Sequence, residues 1–462
     1  MDSKPLSIAS ILSLEGFLNY KSFDGPWITC FCQISGYTLD IYVDETMEQK
    51  LEIIDIDSKI TAILDDINPL AFSIYRRNKK IADFLTTSIE EAMRWSEIIK
   101  SLTTPQPSLS MDDFKIISCI GRGYFGKVML VQNKQTNELF AIKAVPKKRL
   151  IESGRPRTII AERNIMMLVK YPFIVQLHFA FQTKTKFYLG LEYAPGGELF
   201  YHMEQIGLIP IDDARLYVAE IALALDHLHK YGFVYRDLKL ENVLFDSEGH
   251  VKLTDFGLAK EIYLSNTKTF CGSNHYLAPE IVLGQPYSFE IDWWALGILL
   301  CEMLTGVTPF SGENRMQMFE SIAHDKPILP SAIDEEAGSL ILWLLTKDPK
   351  QRPKFAQISQ HPFFDCLNWE YVVNRRYRPN FVPEQSTCCE DTLQYFAPEF
   401  TQEAAIDSQY EEIPNETMNV TGFSFIAPST QTDYDYDSGS EFSLDGMLLH
   451  EYEQLAAAGT EI

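Results

Sequence analysis

The sequence predicts an α+β protein made of a small strand-rich module, a larger mixed domain and an acidic tail. Three observations predict it. Up to residue 87, short β-branched and aromatic runs are punctuated by turn residues, and the period then becomes helical. From residue 112, strand-like runs come first and amphipathic helical segments follow. The length of 462 residues, 46% hydrophobic and 12% aromatic, calls for more than one core.

In the module, residues 1–103, the strand runs are Gly16–Lys21, Trp27–Ile34, Thr38–Val43, Leu51–Ile56, Leu70–Tyr75 and Lys80–Thr86. Asp24-Gly25-Pro26, Gly36 and Asn68-Pro69 supply the turns between them. Ser88-Ile89-Glu90-Glu91 is a capping box, and Ala92, Met93, Trp95, Ile98, Ile99 and Leu102 follow at helical spacing. Residues 104–111 are rich in Pro, Ser and Thr and read as a linker.

The net charge of −24 is unevenly spread. Residues 1–103 hold 16 acidic against 10 basic side chains, and residues 381–462 hold 17 acidic and no Lys or Arg. The middle is left near neutral, so there is no basic footprint for nucleic acid. The eight cysteines are scattered without CxxC spacing, as expected for reduced thiols in the cytoplasm. No apolar run nears the roughly 18 residues of a membrane span, and Met1–Pro5 lacks a signal-peptide core. The sequons at Asn415 and Asn419 are therefore chance matches.

Seven or so strands closed by one helix, with Glu15-Gly16-Phe17-Leu18 opening the first strand and Trp95 in the helix, resemble a pleckstrin-homology (PH) domain. The resemblance implies a small barrel and a ligand that is either a phosphoinositide or a protein. Phosphoinositide-binding members carry cations on the first two strands. Here Lys21 is present, but the second strand, Trp27-Ile28-Thr29-Cys30-Phe31, has none. Net acidity also opposes an anionic membrane. Arg76-Arg77-Asn78-Lys79-Lys80 reads as a solvated hairpin tip. The expectation is a protein-binding or autoinhibitory module, with membrane recruitment as the alternative.

In residues 112–364, Gly121-Arg122-Gly123-Tyr124-Phe125-Gly126-Lys127-Val128 joins two strands. Glycines let backbone amides approach phosphates, and the strand that follows argues against a dinucleotide fold. Lys143 sits inside the apolar strand Phe140–Val145, and Glu162 lies on an amphipathic helix where it can restrain that lysine. Leu189–Glu198 is a strand that breaks into a Gly-rich turn. Asp237, Lys239 and Asn242 share one loop, a base, a cation and a metal ligand within six residues. Asp255-Phe256-Gly257, Ala278-Pro279-Glu280, Asp292 and Arg352 complete the order.

This ordered set resembles a eukaryotic protein kinase and implies the bilobal kinase fold with ATP and Mg2+ in the cleft. The resemblance implies the roles. Ile120 through Val128 would cover the nucleotide, Ala141, Leu191, Glu192 and Ala194 would line the adenine site, and Lys143 with Glu162 would hold its phosphates. Asp237 would act as base and Lys239 as charge neutraliser, while Asn242 and Asp255 would bind magnesium. Glu280 would pair with Arg352, and Asp292 would be structural. Tyr235, Lys239–Asn242 and Gly196–Phe200 are similar to the AGC branch of serine/threonine kinases. That branch implies selection of substrate arginines by Glu198, Glu241 and Glu302 and activation by phosphate on Thr269, paired with Arg236 and Lys260. Thr158, Asn274-His275 and Ser273 depart from the common pattern.

Residues 365–426 resemble the AGC tail, through Asn368-Trp369, Arg375–Pro383, Tyr395-Phe396 and Glu399-Phe400. Val420–Phe425 is similar to its hydrophobic motif, which implies docking of Phe423 and Phe425 and phosphorylation of Ser424. No Thr-Pro turn-motif site is visible. Residues 427–462 are expected to be acidic and disordered. PH module, kinase and tail in that order resemble the protein kinase B (Akt) subfamily. The implied partners are proteins with basic sites and an upstream kinase, with the chain itself a monomer. The competing class is a binding protein that uses the kinase fold as a scaffold.

Overall fold

Seven antiparallel strands form one sheet in the first hundred residues: β1 (Glu15–Ser22), β2 (Ile28–Ser35), β3 (Thr38–Tyr42), β4 (Lys50–Asp55), β5 (Ile60–Leu64), β6 (Ala71–Arg76) and β7 (Lys79–Leu85). The computed structural model describes residues 14–35, 37–103, 109–123, 126–155, 158–262, 267–331, 333–384, 391–408, 410, 420 and 423–427. Tyr124, Phe125, most of the linker and the acidic stretch after Ala427 lie outside these.

The six strand runs read from the sequence match to within a residue or two. The one missed is β5, whose inward Ile60 and Ala62 alternate with outward Thr61 and Ile63, too weak an amphipathic signal to stand out. The strand order is β4-β3-β2-β1-β7-β6-β5. Among the described residues no pairing joins β4 to β5, so the sheet is open where a closed barrel was expected. Helix α1 (Ile89–Thr103) packs on β5 and β6 and buries Trp95 and Ile99 against Phe72 and Phe84. Its cap differs in detail from the expected box. Ser88 Oγ accepts the Glu91 N–H (3.1 Å), while the Glu91 carboxylate accepts from the Thr87 N–H (2.9 Å), one residue further back. The basic cluster is a tight β6–β7 turn, with Arg77 (φ 48°) and Asn78 (φ 65°) both left-handed.

The next domain starts with β8 (Phe114–Arg122), β9 (Lys127–Asn133) and β10 (Leu139–Pro146), then α2 (Lys147–Glu152), α3 (Thr158–Leu168), β11 (Leu177–Gln182) and β12 (Lys186–Glu192). A helical half follows, built on α4 (Leu199–Ile206) and α5 (Ile211–Lys230). Between its helices run the short strands β13 (Phe233–Val234), β14 (Val243–Phe245), β15 (Val251–Leu253) and β16 (Lys260–Glu261), and then α6 (Pro279–Val282) and α7 (Glu290–Thr305). Helix α7 is apolar on nearly every face and forms the centre of this half. Beside it the buried Arg352 donates to both Glu280 oxygens (2.7 and 3.1 Å) and to the Glu290 carbonyl (2.7 Å). The pair ties α6 to the start of α7, the structural role expected of it.

The chain returns to the sheet half at its end. Strand β17 (Phe425–Ile426) pairs with β11, giving the order β17-β11-β12-β10-β9-β8. No described helix is long and apolar enough to cross a membrane.

Candidate active site

The cleft between the two halves gathers residues from six elements. Lys143 on β10 donates to Glu162 on α3 (2.6 Å) and to Asp255 (2.9 Å), 112 residues away. Burial alone would lower the Lys143 pKa, but the two carboxylates outweigh it and the net direction is up. Beside that ammonium the Asp255 carboxyl is held below its usual range. Asp255 is left-handed (φ 55°) and accepts the Gly257 N–H (3.3 Å), a strained turn that aims its carboxylate into the cleft.

Asp237 is buried, and burial pushes its carboxyl above the usual value against the opposing pull of Lys239 and Asn242. Its Oδ2 accepts from Asn242 Nδ2 (2.9 Å) and its Oδ1 from Ser273 Oγ (3.0 Å); Lys239 Nζ lies 3.8 Å away. The loop is held from behind. Asp292 accepts the backbone N–H groups of Tyr235 and Arg236 (2.9 Å each), which supports Arg236 at φ 70°. The Tyr235 hydroxyl donates to the Thr254 carbonyl, so Tyr235 ties the Asp237 loop to the Asp255 turn.

The expected nucleotide-site residues converge. Ile120, Ala141, Leu191 and Ala194 are buried at the cleft; Ala141 pairs in register with Leu191, and Lys143 with Val128. Gly121, Arg122 and Gly123 lead into the lid turn, and Gly126 and Lys127 leave it. A side chain at Gly126 would meet the Ala144 carbonyl at 2.3 Å, so only glycine lets the lid lie this close to β10. Glu192 binds Lys252 (2.7 Å), pinning the strand as it enters the hinge. Phe396 of the tail stacks on hinge residue Tyr193 (6.0 Å), whereas Tyr395 packs on Phe381 (5.7 Å).

Asn242 and Asp255 offer oxygen donors to a hard cation, since Asn242 Nδ2 is committed to Asp237 and its amide oxygen is left over. Among the described residues no cluster of three His, Cys, Asp or Glu side chains could hold a metal alone. A magnesium ion would be held here by the Asn242 amide oxygen and the Asp255 carboxylate.

The acidic residues expected to select arginine share one wall. Burial, and then Glu241, raises the Glu198 carboxyl to about 7. Glu241 also acts on Glu302, which accepts from the Tyr276 hydroxyl. Glu399 of the tail joins the cluster. Thr269 is exposed; its hydroxyl lies 3.2 Å from that of Thr267, to which Lys260 donates (2.9 Å). Arg236 approaches through Tyr287, which donates to the Thr269 carbonyl (2.7 Å). Phe423 is fully buried, packed on Phe187 (4.5 Å) and beneath the Arg163 guanidinium of α3. Phe425 packs on the same core from β17, and Ser424 between them is half-buried.

Residues 114–364, more than half of the chain, match the family model for the protein kinase domain. The RAC family serine/threonine-protein kinase homolog of Dictyostelium discoideum is 40% identical over 359 residues, 74% of this chain and 80% of that protein. The chain belongs to the protein kinase family, in its AGC serine/threonine branch. Human serine/threonine-protein kinase Sgk1 is 43% identical over 309 residues (65% and 71%). Serine/threonine-protein kinase YPK1 of Saccharomyces cerevisiae is 42% identical over 315 residues, which are 67% of this kinase but 46% of the yeast protein.

Reasoning from motifs alone passed over the positional roles of Ser273, Thr267, Tyr276 and Glu399. Ser273 stood out in the sequence only as a departure from the common pattern, yet its hydroxyl donates to the buried Asp237 carboxylate. Removing one hydrogen bond to a buried carboxylate costs about 1.5–3 kcal/mol. Ser273→Ala is therefore expected to lower kcat about tenfold or more, and Ser273→Thr to keep activity, both measured by steady-state peptide phosphorylation.

Proposed function

We propose that this kinase transfers the γ-phosphate of ATP to Ser and Thr hydroxyls in Arg-containing protein sites, as a PH module, kinase and tail arranged as in protein kinase B. The observation that carries this is the assembled pair of clamps, Lys143 between Glu162 and Asp255, and Asp237 between Asn242 and Ser273. When bound, Mg-ATP supplies the phosphoryl group and the charge of the metal. The lid, Lys143, Asn242 and Asp255 would hold it. Asp237 orients the acceptor hydroxyl and takes its proton, with a carboxyl already biased upward by burial. Lys239 offsets the charge that builds on the phosphoryl oxygens.

Phosphate on Thr269 would meet Lys260 and Arg236, both already tied to its neighbours. For Ser424 the support is its half-buried position between the docked Phe423 and Phe425. Protein phosphorylated on Thr269 is expected to phosphorylate an Arg-containing Ser peptide, with Asp237→Asn at least about 100-fold slower. Equal rates for the two would overturn the assignment, and nucleotide binding without turnover would favour a scaffold.

The acidic wall adds a pH dependence. The Glu198 carboxyl is ionised above its raised value of about 7 and protonated below it, so its pull on arginine is present at high pH and lost as pH falls. The KM for an Arg peptide should rise as pH drops from about 8 to about 6, and Glu198→Gln should flatten that profile.

The N-terminal module, a PH domain in this proposal, works in cis. Arg94 on α1 forms two hydrogen bonds with Glu261 (2.6 and 2.5 Å), its guanidinium lies over Phe233, and Ile98 packs on the kinase core. Lys21, the candidate lipid cation, instead lies over Trp27, near Asp83. Docking thus clamps the β13–β16 ribbon next to Lys260. Arg94→Glu is expected to speed amide exchange over Phe233–Ile262, and adding Glu261→Arg to restore protection. Liposome binding lost on Lys21→Ala would support membrane recruitment instead.

A further inference from the structure

The tail touches the strands of the sheet half through two carboxylates that the kinase mechanism does not use, Glu403 and Asp407. Glu403 accepts from Arg122 (3.0 Å) and lies 3.4 Å from Lys127 Nζ, which also donates to the Ala404 carbonyl (3.0 Å). Arg122 and Lys127 face each other in the β8–β9 register at the base of the lid, where the Gly123 N–H donates to the Gly126 carbonyl (3.0 Å). One carboxylate, 281 positions downstream of Arg122, therefore straddles both stems of the hairpin. Four residues later Asp407 accepts from Lys186 and from the Tyr188 hydroxyl (2.8 Å). The Lys186 side chain is 4% exposed, and the Tyr410 ring lies over its ammonium. A buried ammonium needs a partner charge, so this pair is an anchor and not a solvated surface contact.

We propose that Glu403 is a positioning residue for the phosphate lid, with Asp407 as the anchor that keeps it in place. The lid's two stems are unequal. Gly126 sits tightly on the Ala144 carbonyl, whereas no described residue lies within 4 Å of where a side chain on Gly123 would start. The near stem is the compliant one, and Glu403 ties it to the fixed one through Lys127. The height of the two stems, at Gly123 and Gly126, over the nucleotide phosphates would then follow from where the tail docks. No phosphate on the tail is needed for this anchor, because Asp407 carries its own charge.

The inference rests on nucleotide binding at the cleft, and its test separates the two. Full-length protein is titrated with Mg-ATP and assayed with an Arg peptide. Glu403→Gln is expected to raise the Kd and KM for ATP about threefold to tenfold, a modest shift because the Arg122 side chain is 58% exposed and its pairing is screened. Its kcat and peptide KM should move less than about twofold, and the ATP shift should shrink as salt rises. Asp407→Asn should reproduce the ATP shift and also lower the Tm, whereas Asp407→Glu should restore both. A Glu403→Gln protein with unchanged ATP affinity, while Asp237→Asn abolishes turnover, would overturn the positioning role and leave the kinase assignment standing. Failure of the wild-type chain to bind Mg-ATP would instead remove the assignment on which it rests.

Discussion

One ammonium joins the two halves of this kinase. Lys143 comes from the sheet, Glu162 from the helix beside it and Asp255 from the turn after β15. Two carboxylates and one lysine leave a net negative charge in a buried cleft, tolerable only where a cation or solvent can balance it. Breaking such a cluster by removing one member typically costs about 3–5 kcal/mol. The lid, the hinge and the base loop are useful only while that cluster holds sheet and helices in register.

The motifs were legible because each is local. A glycine lid, a lysine in an apolar strand and an Asp-x-Lys-x-x-Asn loop each bring their chemistry within a few residues. Arg236 at φ 70° and Asp255 at φ 55° cost backbone strain that the surrounding bonds, Asp292 above all, hold in place. What stayed hidden depends on chain segments meeting in space. Ser273 reaches Asp237 across 36 residues and Arg94 reaches Glu261 across 167, and no spacing rule predicts either. Strand β5 escaped because the small inward Ala62 and the apolar outward Ile63 dilute its alternation, and the open edge between β4 and β5 concerns pairing, on which side-chain periodicity is silent.

The tail is part of the fold and not an appendage to it. The Gln182 side chain on β11 donates to the Val420 carbonyl (2.6 Å) and accepts the Val420 N–H (3.1 Å), and the strand added at β17 continues that recognition through backbone pairing. A side chain at Gly197 would collide with the Tyr395 carbonyl at 1.9 Å, so the hinge turn itself is shaped to admit the tail. Burial of Phe423 contributes about 2–3 kcal/mol by transfer of its ring from water.

Helix α3 shows how that contribution reaches the chemistry. Glu162 and Arg163 are consecutive and both buried, and on a helix consecutive side chains diverge by about 100°. Glu162 turns toward Lys143, while Arg163 turns to another side of the helix, over the buried Phe423. Rotation of the helix that lost one contact would strain the other. The tail aromatic and the phosphate lysine are therefore read by neighbouring residues of one rigid element. On the proposed function, docking of Phe423 would favour the rotation in which Glu162 meets Lys143, and Mg-ATP held through Lys143 would then favour docking of the tail by the same amount.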